Sequence, residues 1–203
     1  MKAKQAAVSV FAVLVLWGCG KAKSDASAMA DTTAAAPAEV APAESSAAPA
    51  AAGPSDAQIA AIVVTANSAD STAGELALKK STNPKVKDFA QRMVTDHGAV
   101  NKMAVALAQQ LNLTPEPSPT SQALAQDGEQ NIQKLQGLSG SAFDKAYIDH
   151  EVALHEQVLD ALDHTLLPSA QNPQLKDLLQ KGRPIFEGHL EMAKQIQSSL
   201  GNS

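Results

Sequence analysis

Cysteine occurs once in the chain, at Cys19. An internal disulfide is therefore excluded, and the rival reading of Cys19 as a redox-active or metal-binding thiol has neither a second cysteine nor a CxxCH haem motif to support it. Aromatic residues are only 3% of the chain, and no segment alternates apolar with polar residues as a half-buried strand does. GxSxG, the P-loop and GxGxxG are all absent, which removes the common signatures of nucleophilic catalysis and nucleotide binding. Positive charge is not in excess either. The formal net charge is −5, and nucleic acid is a poor partner for such a surface.

Long apolar runs are missing too. The uncharged stretch from Ala6 to Gly18, behind Lys2 and Lys4, is 13 residues long. A membrane-spanning helix needs about 20 residues, whereas the apolar core of a secretory signal is of this shorter length. Leu16-Trp17-Gly18-Cys19 follows the pattern of the lipobox, with an apolar residue at minus three, a small one at minus one, then the cysteine to be acylated. Residues 1–18 are thus expected to be a lipoprotein signal peptide, and Cys19 the lipidation site and membrane anchor. Gly20 stands where an aspartate resembles the inner-membrane retention signal, so the expected address is the periplasmic side of the outer membrane. Loss of Lys2 and Lys4 on cleavage takes the net charge from −5 to −7.

Residues 19–54 are rich in alanine and interrupted by Pro37, Pro42, Pro49 and Pro54. The prolines break helix and no bulky apolar face exists to bury, so this stretch is expected to be a disordered tether. Residues 55–203 differ. Asn83-Pro84 and Asn172-Pro173 each put a capping residue before a proline at the first helical position. Helices are predicted over 56–80, 84–112, 119–137, 142–167 and 173–200. Val86, Ala90, Met93, Val100, Ala104, Leu107 and Leu111 recur at spacings of three and four, a bundle seam. The expected fold class is all-α, an up-and-down four-helix bundle with an additional shorter helix.

At 100° per residue the five histidines separate by face. His97 fills the position its seam leaves vacant between Met93 and Val100. His155 lies amid Tyr147, Ile148, Val152, Val158, Leu159 and Leu162, and His189 amid Ile185, Phe186, Met192, Ala193 and Ile196. His150 and His164 point outward, toward solvent. Glu151 sits one turn before His155 on the inward face, and carboxylates are rarely buried without a partner. A carboxylate and an imidazole at i and i+4 can share one cation. Glu151, His155 and His189 are the core of a candidate metal site, with His97 joining if the second helix packs alongside; a divalent transition metal is the candidate cofactor. A buried hydrogen-bond network without metal fits the same residues. Val94, Val152 and Phe186 occupy the positions three before the inward histidines, so the Glu-x-x-His pairs of di-iron bundles are absent. This argues against an oxidative enzyme, and Asp70 is expected only on the flank of the first helix.

Asn83-Pro84-Lys85-Val86-Lys87-Asp88-Phe89-Ala90-Gln91-Arg92-Met93-Val94-Thr95-Asp96-His97, with Phe143 to Ile148, Val152 to His155, Pro184 and His189-Leu190, resembles an exported bacterial family known as domain of unknown function four-one-four-two. The resemblance implies a ferritin-like helical bundle, with Asp96, His97, His155 and His189 at the family's recurring polar positions. It also implies an acid on the first helix where Thr72 stands, and an aspartate where Leu154 stands. The functional expectation is an exported, lipid-anchored envelope protein that binds metal or serves in stress. The alternative is a non-catalytic interaction module presented in the periplasm.

Overall fold

The computed structural model of the protein describes residues 53–201. The expected signal peptide, Cys19 and the tether as far as residue 52 lie outside the described residues. The described residues form α1 (Asp56–Lys80), α2 (Pro84–Gln110), α3 (Pro119–Gln136), α4 (Gly140–Ala161), a π-helical turn at Leu162–Leu166, the short α5 (Leu167–Ser169) and α6 (Pro173–Gly201). No strand occurs among them, and no helix is long and apolar enough to cross a membrane. The all-α expectation holds.

Local chemistry accounts for where the helices start. Ser55 and Gln58 form a reciprocal capping box at α1, each side chain accepting from the other's backbone N–H at 3.2 and 3.0 Å. The Asn83 side chain caps α2 ahead of Pro84, and Asn172 Oδ1 accepts from the backbone of Gln174 and Leu175 at the start of α6. Lys80 caps a helix it does not belong to: its ammonium donates to the carbonyls of Leu135 and Gln136 at the end of α3.

One expected element differs. The helix predicted over 142–167 starts at Gly140 and widens into the π turn, where Leu167 N–H reaches back to Leu162 O. Pro168 has no N–H to give to the carbonyl of His164, so the regular ladder has to end in this stretch. Arg183 of α6 grips the turn by a bidentate pair with Asp163, at 2.8 Å for each bond.

Helices α1, α2, α6 and α4 close a ring in which each touches the next, and α3 packs outside, chiefly on α1. Two apolar clusters fill the interior. One joins the start of α1 (Ile59, Ile62, Val63) to the ends of α2 and α4 and the start of α6 (Leu175, Leu179). The other joins the end of α1 (Ala73, Ala77) to the starts of α2 and α4 and the end of α6 (Ala193, Ile196). Ring neighbours are therefore antiparallel, as an up-and-down bundle requires. Gly74 lets α1 and α2 approach closely, since a Cβ there would stand 3.0 Å from the carbonyl oxygen of Ala90. Between the two apolar halves lies a polar layer: Asn67 and Asp70 on α1, His97 on α2, Glu151 and His155 on α4, and His189 on α6.

Candidate metal centre

Each member of this layer occupies a slot in an otherwise apolar stripe. On α1 the buried positions Ile59, Val63, Ala66, Ala73 and Ala77 skip a turn at Asp70, much as α2 skips one at His97. The layer is deeply buried: Glu151 is fully enclosed, and His97, His155 and His189 are each 2% exposed.

The three histidines face one another, with ring centroids 5.0 to 5.5 Å apart. One nitrogen from each lies within 4.8 Å of the others. Their outer nitrogens are already engaged. His97 Nδ1 lies 3.0 Å from Asn67 Oδ1, and because the Asn67 amide N–H donates to Val63 O, that oxygen accepts and His97 Nδ1 donates. His189 Nε2 donates to Asp96 Oδ2 at 2.9 Å, and His155 Nδ1 donates to the backbone oxygen of Glu151 at 2.9 Å. A neutral imidazole has one N–H, so these bonds leave His97 Nε2, His189 Nδ1 and His155 Nε2 as bare lone pairs. The first two are 3.2 Å apart, and the third has no hydrogen-bond partner among the described residues.

Two lone pairs at that distance repel unless a proton or a metal cation stands between them. A proton is disfavoured here. Burial, reinforced by the other two histidines, holds His97 well below its usual value of 6.5. Burial likewise takes His155 down to about 4 and lowers His189, where Asp96 offsets part of the effect. Neutral imidazoles with their outer N–H groups fixed by carboxylate, amide and backbone are the ordinary state of histidine metal ligands. Bonds of ~2.05 Å at tetrahedral angles put neighbouring donors ~3.3 Å apart, close to the His97–His189 spacing. The three histidines present could hold a metal ion.

A second trio, Asp70, Glu151 and His155, shares His155 with the first. Asp70 Oδ1 and both Glu151 oxygens have no hydrogen-bond partner among the described residues. Two ionised carboxylates offer only acceptors, so their contact becomes a hydrogen bond when one keeps its proton. Burial pushes Asp70 up to about 7, and burial followed by the charge of Asp70 pushes Glu151 well above its usual range. Burial thus holds both carboxyls toward the protonated form. The Tyr147 phenol, one turn before Glu151, is buried with no hydrogen-bond partner among the described residues and is raised well above its usual value by burial and by both acids.

The sequence places Glu151, His155 and His189 together, with His97 joining if α2 packs alongside; the structure groups His97, His155 and His189, and puts Glu151 in a second group with Asp70 and His155. Glu151 faces Asp70 and His155, so it belongs to the carboxyl side of the layer. Asp70 was placed on the flank but is 3% exposed and central. Thr72, where the resemblance implies an acid, is exposed and donates to Ser68 O. Asn67 was missed. Leu154 faces the apolar half of the core. His164 is solvent-exposed as expected; His150 is only partly so, for it contacts Asp127 and Asn131 of α3 at 2.9 and 3.1 Å. Those two bonds tie α3 to α4 and lie apart from the layer of inward histidines.

No curated protein and no solved structure matches the chain. The family described as "Domain of unknown function (DUF4142)" matches residues 41–196, most of the chain. The resemblance read from Asn83 to His97 is thereby established, and the chain belongs to this family.

Proposed function

We propose that the protein is an exported, lipid-anchored envelope protein whose helical bundle holds a divalent transition metal ion between His97 Nε2, His155 Nε2 and His189 Nδ1. The observation that carries the proposal is the set of three bare nitrogens facing one another while their outer nitrogens are tied to Asn67, the Glu151 backbone and Asp96. A ligand set of imidazoles with adjacent carboxyls and no thiolate suits zinc, iron, copper or nickel. Asp70 and Glu151 stand beside that position and give up their proton when a cation arrives, which couples uptake to pH. Anchoring through Cys19, with the alanine-proline tether, keeps the bundle at the periplasmic face of the outer membrane.

Elemental analysis of the untagged full chain tests the metal. About one equivalent is expected in the native protein, falling to background in His155→Ala and His189→Ala. Metal content unchanged by both substitutions refutes it. The anchor is tested by mass spectrometry of the mature N-terminal peptide, with acyl chains on Cys19 expected and an unmodified cysteine contradicting it.

A further inference from the structure

A cavity of about 60 Å³ lies beside the metal centre on its π-turn side. Its walls are aliphatic, with Ile62, Val100, Leu124, Val158, Leu162 and Leu179 among them. Polar residues stand at its two ends. At the inner end are Asn67, Asp70, His97 and His155; at the outer end are Thr120 and Gln157, both exposed. The lining thus includes exposed residues at the start of α3 and on α4 as well as two of the buried histidines. Phe186 closes its inner flank, stacked on the His97 ring at 5.4 Å and 11°. Gly182 makes room for that ring, since a Cβ there would lie 3.3 Å from Phe186 Cε2.

The lining decides what can enter. An ion would lose its hydration along aliphatic walls with nothing to replace it. An uncharged molecule meets no such barrier along the aliphatic walls, and apolar-walled voids in proteins take up apolar guests. Size sets the upper limit: benzene needs a void of ~150 Å³, so this one admits about two or three heavy atoms. We propose that the cavity binds a small uncharged molecule of diatomic or triatomic size and conducts it to the His97–His155 side of the metal centre. The binding half stands on the cavity alone; the delivery half rests on the metal reading above.

Xenon and nitric oxide are suitable probes, with Ala161→Phe and Leu124→Phe as independent plugs because both residues line the cavity. Saturable xenon binding to the full chain, followed by xenon-129 resonance, is expected in the native protein and absent in either folded plug. In protein loaded with ferrous iron, nitric oxide association is expected to slow about tenfold in a plugged variant of unchanged metal content. Xenon that fails to bind the native chain, or binding that persists in both plugs, overturns the pocket. Nitric oxide association at the native rate in a plugged variant overturns the delivery route. Failure to load iron counts against the metal proposal alone, since the xenon result decides the pocket without it.

Discussion

His97 Nε2 and His189 Nδ1 lie 3.2 Å apart across the bundle, each on a ring whose opposite nitrogen is held by a hydrogen bond, to Asn67 and Asp96 respectively. Those outer bonds choose the tautomers. Freed of its partner, either ring can turn its N–H inward and lose its lone pair as a ligand. Asn67→Leu and Asp96→Ala should each weaken metal binding by about 10- to 100-fold while leaving helical content intact. Competition against a chromophoric chelator, with circular dichroism as the folding control, checks this; undiminished affinity in both variants contradicts it.

Stability of the metal-free protein should depend on pH in a definite direction. Asp70 and Glu151 have raised values when folded, so the folded chain retains protons that the unfolded chain gives up above the ordinary carboxylate range. Stability then falls as pH rises, through about 7 for Asp70 and further for Glu151. The buried histidines act oppositely: theirs are lowered, so they cost stability as pH falls below 6.5, down through about 4 for His155. Between those limits the two effects offset. From pH 6.5 to about 8 the carboxyls act alone, and the chelator-treated protein should lose up to ~1.4 kcal/mol per pH unit for each retained proton. Thermal unfolding across that range checks it, with Glu151→Gln flattening the slope; a native slope of opposite sign contradicts it.

Tyr147→Phe removes a buried hydroxyl with no hydrogen-bond partner among the described residues and leaves the ring packed against Phe89 and Phe143. Metal-free stability should be unchanged or raised by about 1 kcal/mol, since no bond is lost and a desolvated group is removed. A chemical-denaturation midpoint well below that of the native chain contradicts this.

Asp127→Ala removes one of the two His150 bonds between α3 and α4 and leaves the one to Asn131; Asp127 itself is largely exposed. The effect on stability should be under about 1 kcal/mol, and metal content should not move. A loss of metal here would mean that α3 holds the site together, against the arrangement described.

Much of this architecture was legible because the bundle's apolar stripes are regular where they carry bulky residues. Met93 and Val100 bracket His97 unmistakably, and the Asn-Pro starts fix two helices to the residue. On α1 the stripe consists largely of alanine, and serine and threonine intervene on every side, so the inward direction is poorly marked. Asp70 and Asn67 were hidden for that reason, although the gap between Ala66 and Ala73 was a usable sign. The π turn was illegible because its cause lies partly in Arg183, 20 residues from Asp163 in sequence. Which nitrogen of each histidine faces inward depends on partners from other helices and on backbone geometry, neither of which periodicity encodes.

X-ray absorption spectroscopy of the metal-loaded full chain tests the central claim most directly. The account predicts three imidazole nitrogens at ~2.0–2.1 Å for zinc, with the imidazole count falling in His189→Ala. A bound metal surrounded by oxygen alone, or a spectrum unaltered by His189→Ala, would contradict it.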